Sequence, residues 1–132
     1  MADYTTSSFR PGYRVEVEGF IPHGCKRFSI NLGKDSDCNL VIHFDARFDH
    51  LGDKGKIVLN SRKDGVWGTA QKESFFPFQT GSDTQVSFTF EQDKIIVHLP
   101  TGSPLSFPIR FPITDITFLS VENFTPKSIT LD

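Results

Sequence analysis

Apolar and polar residues alternate along most of this chain, and no other feature constrains its fold as strongly. The alternation is clearest over residues 13–20, 28–32, 85–91 and 94–99. Since neighbouring side chains of a β-strand point to opposite faces, a period of two predicts strands with one buried face. No window has the period of a helix, and the 14 phenylalanines suit sheets with aromatic inner faces. The sequence therefore predicts an all-β sandwich of ten or eleven short strands.

Size and charge narrow the possible functions. A chain of 132 residues fits one domain, 1–132, with a core of its own. The net charge of -2 provides no positive field for a phosphate backbone, so we expect no nucleic-acid partner. No apolar run is long enough for membrane insertion, and the first residues lack the apolar core of a secretory signal. We therefore expect synthesis in the cytosol, with Cys25 and Cys38 as free thiols.

Polar side chains occupy one face of the strand predicted over residues 38–47. The core face of this strand carries Leu40, Ile42 and Phe44. The opposite face carries Val41, His43, Asp45 and Arg47. In the next strand the residues that point outward are Val58, Asn60 and Arg62, and the only tryptophan, Trp67, follows the turn after it.

These residue types suit the recognition of a sugar. Planar groups with several donors or acceptors bind hydroxyls in a fixed array. An exposed indole such as that of Trp67 stacks on the apolar C–H face of a sugar ring. The residues therefore predict a carbohydrate-binding site, and the alternative is a solvated sheet face with a half-buried Trp67.

The same residues resemble the carbohydrate-recognition sequence of the galectin family. His43-x-Asp45-x-Arg47 is similar to the family pattern H-x-N-P-R, and Asn60 follows at the family's spacing. The segment that begins at Trp67 is similar to W-G-x-E-x-R. Matches at residues 28–33, 76–78 and 105–110 extend the resemblance over essentially the whole chain. The chain is most similar to prototype galectins, which have a single recognition domain.

The resemblance implies a fold and a function. The fold is a jelly-roll β-sandwich of two antiparallel sheets, with a sugar groove on a concave face. The function is that of a lectin for β-galactosides such as lactose and N-acetyllactosamine, with no enzymatic activity, no cofactor and no metal. A homodimer through the terminal strands would cross-link glycoproteins. The resemblance also implies a cytoplasmic protein that reaches the extracellular space without a signal peptide.

The resemblance also implies roles for individual residues. His43 and Arg47 bind the axial 4-hydroxyl of galactose, and Arg47 also contacts the ring oxygen. Asn60 contacts the 6-hydroxyl, and Trp67 stacks on the apolar face of the sugar. The remaining binding or supporting residues are Lys72, where the family has an arginine for the second sugar, its acidic partner Asp53, and Val58.

Three residues depart from the family pattern. Asp45 replaces an asparagine, Ala46 replaces a proline, and Ala70 replaces a glutamate that in galectins braces the arginine. An ionised aspartate only accepts hydrogen bonds, whereas asparagine also donates. Because Asp45 shares a strand face with Arg47, we hypothesise that its carboxylate replaces the missing brace.

Other interpretations remain open on the sequence alone. The changes at Asp45 and Ala70 are compatible with a galectin-fold interaction module in which sugar binding is weakened or altered. A metal site at His43, Asp49 and His50 lacks a recognised ligand spacing. A glycosidase pair of Asp45 and Glu73 would need a defined carboxylate separation, which a sequence does not give.

Overall fold

The chain folds as a sandwich of antiparallel β-sheets, as the alternation predicts. The computed structural model describes residues 2–9, 12–113 and 115–132, the first of these ranges by its backbone alone. The strands within these residues are β1 (Ala2–Phe9), β2 (Arg14–Ile21), β3 (Arg27–Gly33), β4 (Leu40–Arg47), β5 (Lys56–Lys63), β6 (Val66–Trp67), β7 (Gln71–Glu73), β8 (Ser82–Phe90), β9 (Lys94–His98), β10 (Leu105–Pro108), β11 (Ile116–Glu122) and β12 (Thr125–Leu131). The described part of the chain contains no helix with the length and apolarity needed to cross a membrane.

Two sheets form the layers of the described sandwich. The first has the order β1-β11-β3-β4-β5-β6, with β7 also paired to β5, and the second has the order β10-β9-β8-β2-β12. Gln71 on β7 donates a hydrogen bond to the carbonyl oxygen of Ser106 on β10 at 3.0 Å. Since this contact brings β10 beside β7, the edge strands β1 and β12 lie together at the opposite end of the sandwich.

Aromatic side chains fill the space between the sheets. The rings of Phe28 and Phe78 meet edge to face with centroids 5.2 Å apart, and those of Phe44 and Phe88 do so at 6.0 Å. Phe28, Phe44 and Phe88 are fully buried. Burying each such side chain contributes about 1.5–3 kcal/mol, so the phenylalanine content found in the sequence supplies the core that holds the two sheets together.

A β-bulge at Val41 corrects the face assignment at the start of β4. Leu40 pairs with Gly33 and Ile42 with Leu32, so β4 advances by two residues where β3 advances by one. Leu40 also pairs with Arg62 and is only 2% exposed, while Val41 packs into the core. The burial predicted for Leu40 is therefore present, whereas the prediction that Val41 faces outward is wrong, because the extra residue of a bulge shifts the alternation.

Candidate functional site

The outward face of the seven-stranded sheet carries a groove of about 480 Å³. Seven of the predicted site residues line it: His43, Asp45, Arg47, Val58, Asn60, Trp67 and Lys72. Strand register explains why they meet. His43 pairs with Asn60 across β4 and β5, and Val58 lies between Asp45 on one side and Lys72 on the other. Antiparallel partners project to the same face, so residues far apart in sequence form one surface.

The guanidinium of Arg47 is held by two carboxylates. Its Nε donates to Asp45 Oδ2 at 2.8 Å, and its Nη1 donates to Asp53 Oδ2 at 2.8 Å. The contact with Asp45 is the one hypothesised from the sequence, and Ala70 lines the same groove without contributing a charge. Hydrogen bonds between charged partners are the strongest of their kind in proteins. The side chain of Arg47 is 15% exposed, so it remains accessible to a ligand in a fixed orientation.

Asp45 lies beneath the groove surface and is only 1% exposed. Its Oδ1 accepts a hydrogen bond from Arg27 Nε at 2.8 Å, and His43 Nε2 lies 3.8 Å from its Oδ2. Burial by itself would raise the pKa of Asp45, whereas its contacts with His43, Arg47 and Arg27 lower it to about 2. The sequence predicts Asp45 as a sugar-binding residue, and in the structure its contacts are with the side chains around the groove.

A buried asparagine fixes the orientation of His43. The Nδ1 of His43 is hydrogen-bonded to Asn31 Oδ1, while Asn31 Nδ2 donates to Ser120 Oγ at 3.1 Å. Because an amide oxygen can only accept, the Nδ1 of His43 carries a hydrogen. The Nε2 of His43 then faces Asp45 and the groove.

Asn60 is anchored at the floor of the groove. Its Nδ2 donates to the carbonyl oxygen of Gly68 at 3.1 Å, and its Oδ1 accepts from the amide of Ser61 at 2.8 Å and from Arg110 at 3.2 Å. One amide hydrogen of Asn60 thus has a partner within the protein, which leaves the second available for a ligand.

The indole of Trp67 forms one wall of the groove. It is 45% exposed, and its ring centroid lies 4.7 Å from that of His43. The guanidinium carbon of Arg62 lies 5.0 Å from the indole centroid, which is within cation–π range. These two neighbours hold the ring in place, so Trp67 presents a fixed apolar plate beside the polar floor.

A tight turn presents Asp53 to the two cations beside it. His50 and Asp53 exchange two backbone hydrogen bonds of 2.9 Å, and both residues between them, Leu51 and Gly52, have positive φ. The Oδ2 of Asp53 lies 3.0 Å from Lys72 Nζ, so the pairing implied by the resemblance is present. The hydrogen bond from Lys72 contributes most to a pKa of Asp53 below its ordinary value, with a further contribution from Arg47.

The sequence did not predict the contribution of Arg27 and Asn31 to the groove. Arg27 and Asn31 lie on β3, where their side chains reach Asp45 and His43 on β4. Their cross-strand partners are Arg47 and His43, respectively. Only the register of β3 against β4 reveals these contacts, and alternation within one strand does not define register. The aspartate at position 45 was the one sign of such contacts in the sequence, because a buried carboxylate needs cationic partners.

The groove combines a charged, hydrogen-bonding floor with an exposed aromatic wall. Hydroxyl groups can hydrogen-bond with His43 Nε2 and accept from Arg47, while an apolar ring face can lie on Trp67. Among the described side chains, no group of three histidine, cysteine, aspartate or glutamate residues could hold a metal ion. The arrangement is suited to reading the hydroxyl pattern of a sugar.

Comparison with known proteins assigns the family. Residues 3–130 match the family model described as galactoside-binding lectin. The chain belongs to the galectin family. Galectin-1 of Rhinella arenarum is 44% identical over 128 residues, which are 97% of this chain and 95% of that protein.

Solved galectin structures share the whole fold. A toad ovary galectin in complex with N-acetylgalactose superposes with a TM-score of 0.95 at 44% identity, covering 100% of this chain and 98% of that one. A homodimeric agglutinin from chicken liver has a TM-score of 0.92 at 36% identity, with coverage of 99% and 98%. These galectins confirm the jelly-roll sandwich and the assignment to a family of lectins, which bind sugars without converting them. The role of each residue stays a prediction.

Proposed function

We propose that this galectin binds β-galactosides such as lactose and N-acetyllactosamine. The observation that carries the proposal is the guanidinium of Arg47, fixed between Asp45 and Asp53 beside the Nε2 atom of His43. The axial 4-hydroxyl of galactose can accept from Arg47 and form a second hydrogen bond with His43 Nε2 at the same time. An equatorial 4-hydroxyl, as in glucose, points away from this pair, so the arrangement favours galactose.

The remaining groove residues suit the rest of a disaccharide. The apolar face of galactose stacks on Trp67, and the 6-hydroxyl accepts the second amide hydrogen of Asn60. Lys72 is 51% exposed, and its ion-pair partner among the described side chains is Asp53, so it can donate to hydroxyls of the second sugar. The groove is open to solvent, and each contact with the sugar replaces a contact with water, so the affinity for a free disaccharide is modest.

Chromatography on immobilised lactose tests the proposed function. The folded wild-type protein is expected to be retained on lactose-agarose and to elute with free lactose but not with maltose, whose 4-hydroxyls are equatorial or substituted. Passage of folded protein through the column without retention would overturn the proposal. That outcome would favour a galectin-fold module that interacts with other partners.

We also propose that two copies associate through the terminal strands. β1 and β12 are edge strands at the same end of the sandwich, and each edge leaves backbone groups for pairing with a second chain. The chicken liver relative is a homodimer. A dimer would carry two grooves and gain avidity for surfaces with many glycans. Sedimentation equilibrium at micromolar concentration is expected to give twice the chain mass, and a monomer under these conditions would contradict the proposal.

A further inference from the structure

We propose that Arg27 is a positioning residue of the galactose site, which acts on Arg47 through Asp45. The inference rests on the proposed function. Arg27 on β3 and Arg47 on β4 are directly opposite one another in the antiparallel ladder. Like charges in this position repel each other. The two guanidinium groups therefore need an anion between them to keep their places.

Asp45 is that anion. Its Oδ1 accepts from Arg27 Nε and its Oδ2 from Arg47 Nε, both at 2.8 Å. Each carboxylate oxygen thus holds one guanidinium. A second ion pair holds the guanidinium of Arg27, because its Nη2 lies 3.5 Å from Glu122 Oε1 on β11. The contacts form a line of alternating charge from Glu122 through Arg27, Asp45 and Arg47 to Asp53.

The same geometry explains why this chain has Asp45 in place of the asparagine of the family pattern. An asparagine offers one oxygen and one NH2 group. With Arg27 on one side and Arg47 on the other, the NH2 group would face a guanidinium N–H, donor against donor. Arg27 therefore requires an ionised carboxylate at position 45. It follows that the effect of changing Arg27 depends on which residue occupies position 45.

Removing Arg27 alone frees one oxygen of Asp45 and lets the carboxylate turn away from its hydrogen bond with Arg47. Arg27 is 16% exposed and lines the groove, yet its Nε is committed to Asp45. The expected loss is therefore in how well Arg47 is aligned, and the ligand group that reports this alignment is the 4-hydroxyl of galactose.

The test is a double-mutant cycle with Arg27→Met and Asp45→Asn, measured by titration calorimetry. Arg27→Met alone is expected to weaken lactose binding roughly five- to tenfold, in the range of coupling between contacting charges. In the Asp45→Asn background the same change is expected to cost nothing or to improve binding, since it removes the donor conflict. The preference for lactose over 4′-deoxylactose, which lacks the 4-hydroxyl of galactose, is expected to fall in Arg27→Met, whereas a purely structural role would leave it unchanged.

A matched control is Arg14→Met, which removes an arginine paired with a glutamate at 3.1 Å on β2 of the other sheet. Its lactose affinity is expected to equal that of the wild type. Arg27→Lys keeps the charge and is expected to lose less than Arg27→Met; it replaces that variant if thermal unfolding shows that the methionine variant is not folded.

Two results would overturn the inference. One is a folded Arg27 variant with wild-type affinity for lactose and an unchanged preference over 4′-deoxylactose. The other is a double-mutant cycle in which the loss of lactose affinity in the double variant equals the product of the losses in the two single variants. In both cases the wild type still binds lactose and the proposed function stands. Failure of the wild type to bind lactose would instead overturn the proposed function, and this inference with it.

Discussion

Arg47→Met is expected to weaken lactose binding by about a hundredfold or more, since hydrogen bonds to charged groups contribute about 1.5–3 kcal/mol each and 1.4 kcal/mol is tenfold. The substitution removes the donors that we propose for the 4-hydroxyl and the ring oxygen of galactose. It also removes the cation that Asp45 and Asp53 share. Titration calorimetry with lactose and retention on lactose-agarose measure the loss, with thermal unfolding as the check on folding.

Arg47→Lys is the matched control for the shape of the group. Lysine keeps the positive charge but lacks the planar guanidinium with its five N–H donors, so it cannot contact two carboxylates and two sugar oxygens at once. Its affinity is expected to lie between those of the wild type and the methionine variant. If the folded methionine variant binds lactose within tenfold of the wild type, Arg47 does not carry galactose recognition.

Asp45→Asn is expected to have the second-largest effect, a loss of about tenfold in lactose affinity, in the range of an interaction between contacting charges. It is also expected to lower the free energy of unfolding at pH 7 by about 2 kcal/mol, because the pKa of Asp45 is about 2 in the folded protein against an ordinary 3.8. The carboxylate is almost fully buried, so solvent screens its partners little.

The sign of the pH dependence follows from the lowered pKa. Between about pH 4 and pH 2 the unfolded chain binds a proton at Asp45 that the folded protein does not, so acid removes this contribution. Urea unfolding of both proteins at pH 7, 4, 3 and 2 is expected to give a difference that shrinks as the pH falls through this window. A difference independent of pH, or tighter lactose binding by the variant, would contradict the bracing role of Asp45.

Strand alternation predicted the sheets well because long strands bury one face. It placed Ile42 and Phe44 in the core and His43, Asp45 and Arg47 together on the opposite face, as the structure has them. The strands β6 and β7 are two and three residues long, too short for a period of two to appear, so the described part of the chain contains more strands than predicted.

A different reason explains why the sequence did not predict the bulge at Val41 or the contacts of Arg27 and Asn31. Alternation describes each strand by itself, whereas a bulge and a cross-strand contact are properties of a pair of strands. The register that places Arg27 opposite Arg47 depends on how β3 and β4 align. The hypothesis that Asp45 contacts Arg47 succeeded because both residues lie on the same face of one strand.

The line of charges across the groove has a consequence for the ionic strength of the medium. Continued to Lys72, it contains three cationic and three anionic side chains, and every neighbouring pair is in contact. As a unit it carries no net charge, so its field falls off over a short distance. A neutral glycan that enters such a groove gains nothing from long-range electrostatic attraction. Added salt therefore has little effect on its affinity. Recognition here can therefore work equally well in dilute buffer and in a saline fluid.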